Sequence, residues 1–382
     1  REHDTLAKKE ATPGTNLELT LDLDLQSVAE LSMDGKRGAV VALDPRNGEV
    51  LAMVSRPAFD PNAFTTRIRQ DEWNALLNDP DKPLMNRAIQ AQFAPGSTFK
   101  PIVTMAALET GTIDPSFTVH CAGGASFYGD FHRCDEVHGT LNLHQAIVHS
   151  CDTYFYTVGN KLGIDKIAEY GAIAGLGKKT GIDLPGELAG ILPSPKWKLV
   201  TQREKWYAGE TISVAIGQGP LTVTPIQLAS AIGGIAMGGV WYKPHLVRMA
   251  AQPEPVRRAD FNPENVATTV YGMYGVVNEG GTGQTAQIPG LDLCGKTGTA
   301  QRISLKLAKS GKAAGDLAKE NGWFVGFAPR EHPEIVVVAL FEASSHGYAA
   351  APIVRDVIKA YFDKKARLAQ PKLQTALLER PQ

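Results

Sequence analysis

The segments best suited to β-structure stand at opposite ends of this chain, and the long stretch between them is helical in pattern. Residues 38–43 and 49–54 are rich in Val, Ala and Leu and flank Asp44-Pro45-Arg46-Asn47-Gly48. Such runs on both sides of an Asn-Gly turn predict a β-hairpin. Three further short runs, 292–300, 323–328 and 335–341, are β-branched or aromatic. A helical pattern runs from Ser97 to about Glu109, and helices dominate from 141 to 240. Two early strands and three late ones predict an α+β fold. One antiparallel five-stranded sheet is assembled from both ends and flanked by helices, with a mainly helical subdomain between.

Composition limits the function. With 39 Lys+Arg against 40 Asp+Glu the net charge is −1, which argues against nucleic-acid binding as the main role. Hydrophobic residues make up 43% of the 382, enough for a sizeable core. The most apolar run, 224–242, nearly has the length of a membrane span. It opens with Thr224-Pro225, carries Gln227 and Ser230 and contains four glycines, so it reads as a core helix breaking near Gly238-Gly239. Residues 1–14 are charged and aperiodic, as in a linker or the end of an upstream domain. Residues 20–26 alternate and then pass into a helix through Leu31, whereas 56–95 are irregular and punctuated by Pro57, Pro61, Pro80, Pro83 and Pro95. Residues 304–321, rich in Lys and Ala, read as an exposed loop or mobile helix. A last helix over 351–362 leads to a polar tail, 367–382. The start without Met suits a fragment whose targeting segment lies upstream.

The chemistry begins at Phe93-Ala94-Pro95-Gly96-Ser97-Thr98-Phe99-Lys100. A Pro-Gly turn feeds a helix, and Ser97 and Lys100 share one face of its first turn. Serine is a weak nucleophile that needs a neighbouring base, and a lysine desolvated beside another cation can serve. A lone Ser-x-x-Lys is usually a capped helix with a solvated lysine. Here it is followed by Ser150-Cys151-Asp152 and by Lys296-Thr297-Gly298-Thr299, the latter on an expected strand where Gly298 admits a close backbone.

These three motifs resemble those of penicillin-binding proteins and class A β-lactamases. The likeness extends over 38–54, 96–101, Gly217-Gln218-Gly219, Thr224-Pro225-Ile226-Gln227 and 323–329, which look like class B penicillin-binding proteins. Asp152 stands where most of that family carries Asn, which is similar to its elongation-type members. The resemblance implies a penicillin-binding/β-lactamase-like transpeptidase fold over 15–366. It also implies an upstream membrane anchor and pedestal, and a place on the periplasmic face of the bacterial inner membrane. Its activity would be D,D-transpeptidation of peptidoglycan stem peptides ending in D-Ala-D-Ala, with acylation by β-lactams. A SEDS-type glycosyltransferase and rod-complex scaffold proteins would be partners. Ser97 would be the nucleophile, Lys100 its base, and Ser150 and Lys296 a proton relay. The N–H groups of Ser97 and Thr299 would form an oxyanion hole. Thr297 and Thr299 would hold the terminal carboxylate across Gly298. Asp152 would face Lys100, either leaving its pKa lowered toward neutrality by Lys296 or keeping it charged. A β-lactamase or D,D-carboxypeptidase of the same fold, or a β-lactam-sensing module without turnover, are alternatives. No Glu-x-x-Leu-Asn deacylation motif is present.

Five of the nine His and three of the four Cys fall within 120–151. Cys121, Cys134, His138 and Cys151 supply three thiolates and an imidazole, a sufficient set for a closed structural zinc site. Some elongation-type members bind zinc in this segment, and His138 and Cys151 match them by spacing. Cys121 and Cys134 would replace carboxylates, with Asp130, His132 or Asp135 as substitutes. A Cys121–Cys134 disulfide and simple buried thiols are the competing readings. No organic cofactor is expected. Glu187 reads as structural or exposed. Trp206, Tyr207, Trp241 and Tyr242 read as packing residues, Cys294 as a packed strand residue.

Overall fold

Asp22 accepts hydrogen bonds from the N–H groups of Asp24 and Leu25 and so caps the first helix, α1 (Leu23–Ser32). The chain then makes the expected hairpin, β1 (Gly38–Leu43) and β2 (Val50–Arg56), closed through Gly48 at φ 86°. This computed structural model describes residues 12–65, 67–300, 320–344 and 346–369. Most of the expected loop or mobile helix at 304–321 therefore lies outside the described residues, as do most of 1–14 and of the tail.

The segment 56–95 is more ordered than its prolines predict. It holds α2 (Gln70–Asn78) and the single turn α3 (Arg87–Gln90), capped by Asn86. A 3-10 turn, Gly96–Phe99, runs into α4 (Lys100–Glu109), whose residues are almost all buried. Four short strands follow that no pattern announced: β3 (Val119–Cys121), β4 (Gly124–Phe127), β5 (Asp130–Arg133) and β6 (Gly139–Leu141). They form two small ribbons, β3–β6 and β4–β5. The helical subdomain continues as α5 (Leu143–Val148), α6 (Asp152–Ile173), α7 (Pro195–Gln202), α8 (Ala208–Ala215) and α9 (Pro225–Ala236).

The apolar run at 224–242 is the buried core helix expected. Thr224 and Gln227 form a capping box at its start, and Gly238 and Gly239 end it at φ 70° and 92°. A small ribbon, β7 (Val240–Trp241) with β8 (Arg257–Arg258), leads to α10 (Pro263–Asn278). The late strands are β9 (Cys294–Ala300), β10 (Asn321–Ala328) and β11 (Ile335–Phe341), and α11 (Ala351–Ala369) runs past the expected end at 362.

The main sheet has the order β2-β1-β11-β10-β9, antiparallel at every step. Both faces are covered. Ala39, Val41, Val336 and Val338 pack into the larger core with α4 and α9, while Val40, Ala42, Val337 and Ala339 pack with α1 and α11. That explains why these strands read as continuous apolar runs rather than alternating ones. It also leaves β9 as an edge strand beside the helical subdomain.

Candidate active site

The turn Gly96–Phe99 lies against β9. Gly298 permits this, because a Cβ there would lie 2.5 Å from Pro95 O and 2.9 Å from Thr98 Cγ2. The Gly96 N–H donates to Gly217 O at 2.9 Å, and Gln218 Nε2 donates to Thr299 O at 3.0 Å. The glycine-flanked Gln218 thus ties the turn and the strand together. Ser97 is partly exposed on this turn, while the Lys100 side chain enters the core with no exposure.

Lys100 Nζ is surrounded by three acceptors: Asp152 Oδ1 at 2.6 Å, Ser150 O at 2.7 Å and Ser150 Oγ at 3.2 Å. Lys296 Nζ comes to the same hydroxyl from β9, donating to Ser150 Oγ at 2.8 Å and to Thr297 O at 3.3 Å. Ser150 is held there at φ 57°, a left-handed conformation unusual for a residue with a Cβ. Burial first, then the Lys100 charge, lower the Lys296 pKa well below the ordinary lysine range.

Thr297 Oγ1 shares a 2.6 Å hydrogen bond with Thr282 Oγ1. Thr299 Oγ1 accepts from Gly347 N at 3.0 Å, a bond that does not use its own proton. Thr282 went unnoticed in the sequence. Its only signal there is the Gly280-Gly281-Thr282-Gly283 turn shortly before β9. All eight motif residues, Ser97, Lys100, Ser150, Asp152, Lys296, Thr297, Gly298 and Thr299, thus converge on one cleft edge. A hydroxyl between two buried amines, one of low proton affinity, can carry protons to and from a neighbouring nucleophile.

Behind that cleft, ligand atoms of Cys121, Cys134, His138 and Cys151 all lie within 4.8 Å of one another. His138 Nδ1 is 3.6 Å from Cys121 Sγ and 3.5 Å from Cys134 Sγ, and the Cys134 and Cys151 sulfurs are 3.9 Å apart. Tetrahedral zinc with ordinary bond lengths requires about 3.8 Å between sulfurs and about 3.6 Å from sulfur to nitrogen. The set fits. The hydrogen bond between the Cys134 and Cys151 sulfurs holds the Cys134 thiol well below its usual range and pushes Cys151 up. Thr153 and His138 outweigh burial and lower the Cys121 thiol, and both neighbouring sulfurs raise His138 against its own burial. All four cysteines of the chain are free thiols here. Of the alternates, Asp130 and His132 belong to β5 and to the ribbon contact with Phe127 and Tyr156. Asp135 faces Asp152, and burial followed by that charge raises its pKa.

The remaining candidates are structural. Glu187 is buried and accepts from Thr180 N, Thr180 Oγ1 and Gly181 N. Trp241 is buried and Trp206 donates to Thr211 Oγ1, while exposed Tyr207 lies under Lys198 and Lys205. Cys294 is packed in β9, with its thiol raised by burial.

The fold and this cleft define a class that sequence comparison also finds. Residues 38–359 match the penicillin-binding protein transpeptidase domain, and the chain belongs to that family. More particularly, it is 41% identical over 367 residues to the peptidoglycan D,D-transpeptidase MrdA of Acinetobacter baumannii, covering 92% of this chain and 54% of that protein. The chain spans about half the length of the curated relatives it matches. The crystal structure of Pseudomonas aeruginosa PBP2 superposes with a TM-score of 0.84 at 36% identity, covering 94% of this chain and 80% of that one. Helicobacter pylori PBP2, solved in complex with MreC, gives 0.83 at 33% identity, covering 95% and 67%. Among the described residues, no helix is long and apolar enough to cross a membrane.

Proposed function

We propose that this chain is the catalytic domain of an elongation-type peptidoglycan D,D-transpeptidase, acylated at Ser97 by stem peptides and by β-lactams. The observation that carries the reading is Ser150 Oγ, within 3.2 Å of Lys100 Nζ and 2.8 Å of Lys296 Nζ. A stem peptide ending in D-Ala-D-Ala adds along the free edge of β9, as extended peptides do on exposed strands. Thr297 and Thr299 take its terminal carboxylate, and Gly298 lets its backbone come close.

Ser97 Oγ attacks the penultimate D-Ala carbonyl. Lys100 first gives a proton to Ser150 Oγ as Ser150 gives its own to Lys296, and the Lys100 amine so freed takes the proton of Ser97. The net transfer is from Ser97 to Lys296, the amine that burial keeps ready to accept. The N–H groups of Ser97 and Thr299 hold the tetrahedral oxyanion, a contribution of about 3 kcal/mol for one such donor. On collapse the C–N bond breaks, and the proton returns by the same route to the leaving D-Ala amine. An acceptor amine then attacks the acyl-Ser97 ester and forms the cross-link. Asp152 fixes Lys100 in the relay.

The four ligands Cys121, Cys134, His138 and Cys151 hold a structural zinc in this reading. A closed four-ligand zinc supplies folding energy and cross-linking rather than an activated water. It ties the residue between Ser150 and Asp152 to the ribbons at 119–141. The transpeptidase domain spans 15–366, with 1–14 continuing an upstream pedestal and 367–382 a polar tail. The likeness to MrdA and PBP2 proteins supports a periplasmic site on the inner membrane through an upstream anchor. It also supports an MreC-like scaffold and a SEDS-type glycosyltransferase as partners.

Intact-mass measurement with penicillin tests the reading. A single slowly released adduct is expected, absent in Ser97→Ala. Adduct on that variant at the native rate would refute the assignment, and rapid turnover without adduct would indicate a β-lactamase.

A further inference from the structure

A cavity of about 830 Å³ opens between the start of α10, the end of α9 and the turn joining β10 to β11. None of the proposed acyl-transfer residues lines it, and its size is that of a small-molecule site. Met237, Val266 and Val270 line it beside Phe261, whose ring stacks on Tyr170 at 6.3 Å and meets Trp241 edge-on at 6.0 Å.

Its charged groups are not equivalent. Arg46 is held by Asp44 at 2.6 Å, and Glu334 by Lys365 at 2.6 Å. Arg330 lies over the Tyr274 ring at 5.0 Å, and its carboxylate neighbour Glu331 is 3.5 Å away and 75% exposed. So solvated a pair contributes little, and the guanidinium is positioned to engage a better-seated carboxylate. From these features we infer that the cavity binds an amphipathic monocarboxylate, its apolar body against Phe261, Val266 and Val270 and its carboxylate on Arg330.

Helix α10 connects this cavity to the acyl-transfer cleft. Val266, Val270 and Tyr271 line the cavity, while Gly272 and Gly275 press on α5 from the other side of the helix. A Cβ at Gly272 would lie 2.5 Å from Ile147, and one at Gly275 2.5 Å from Val148, so no slack separates the helices. Just past α10, Thr282 donates its N–H to Val148 O at 3.3 Å and bonds Thr297 through its hydroxyl. A ligand that displaces α10 therefore shifts Ser150 relative to Lys296, and occupancy changes the acylation rate.

Calorimetric titration of the full chain with dodecanoate, below its micelle concentration, tests this, with dodecanol as the uncharged control. One saturable site is expected for dodecanoate. Arg330→Met should weaken it about tenfold or more, since a charge-assisted bond is lost. Ala267→Trp, at an exposed position on the cavity wall, should abolish it. Absence of saturable binding, equal binding of dodecanol, or indifference to both variants would overturn the site. With saturating dodecanoate, labelling by a fluorescent penicillin should change about fivefold or more, and not in Ala267→Trp. An unchanged rate in the bound protein would overturn the coupling. Because binding is read without acylation, its failure is distinct from failure of the proposed activity.

Discussion

Lys100 and Asp152 form a 2.6 Å ion pair in which the ammonium is fully buried and the carboxylate is 15% exposed. Among the described residues, Lys296, on the opposite side of Ser150, directs its hydrogen bonds to neutral oxygens, Ser150 Oγ and Thr297 O. Asp152 thus pairs directly with Lys100 and acts on Lys296 through its charge.

Asp152→Asn removes the carboxylate that pairs with Lys100. Breaking a buried pair from one side leaves an uncompensated charge and costs about 3 kcal/mol. Urea unfolding should show that loss. Asp152 also raises the Lys296 pKa, so the variant should lower it further. A variant as stable as the native chain would show that the pair contributes nothing net.

The lowered Lys296 pKa makes stability depend on pH. Between that value and the ordinary lysine range, the unfolded chain holds a proton that the folded chain does not. Stability therefore rises with pH across this window and falls as pH drops through it. As pH rises toward the ordinary lysine range, the native chain should gain up to about 1 kcal/mol per pH unit relative to Lys296→Met. Parallel stability curves for the two would contradict the shift.

Ser150 combines an uncommon backbone with a shared hydroxyl. Ser150→Ala keeps the left-handed φ of 57° and removes the hydroxyl, whereas Ser150→Gly also relieves the backbone. Both should lower acylation by about 100-fold, the range for a positioned proton-transfer group. Ser150→Gly should be the more stable of the two by about 1 kcal/mol. Stopped-flow labelling and urea midpoints would report these separately, and near-native labelling by either variant would remove Ser150 from the relay.

Gly298→Ala adds a methyl 2.5 Å from Pro95 O, on the turn that carries Ser97. The turn must retreat from β9, and a displacement of about 1 Å can cost about 100-fold in rate. The labelling rate should fall by that order while far-UV circular dichroism stays native. A native rate would mean that the turn yields without moving Ser97.

For the metal site, elemental analysis of chain purified without chelator should give one zinc. Stripping it should lower the melting temperature and slow labelling together, because Cys134 Sγ accepts the Asp152 N–H at 3.2 Å and Cys151 adjoins Ser150. Less than a tenth of an equivalent, with Cys121 and Cys134 oxidised to each other, would establish the disulfide instead.

Local features carried the legible part of this protein. Asn47-Gly48 between apolar runs specifies the hairpin by itself, and Ser97 and Lys100 share one helical turn whatever surrounds them. The three motifs and the Cys/His cluster are likewise visible as residue types at fixed places in the chain. The unannounced elements, α2 and the ribbons at 119–141, are short and depend on contacts rather than on a long periodic pattern.

Tertiary structure decided what depends on distance and burial. It paired β1 with β11, brought Ser150 between two lysines, and added Thr282 to the Thr297 hydroxyl. It also buried Lys296 beside the Lys100 charge, which lowers the proton affinity of Lys296. Desolvation and Coulomb interaction act through space, and the sequence separates Lys100, Asp152 and Lys296 too widely to show which charges will meet.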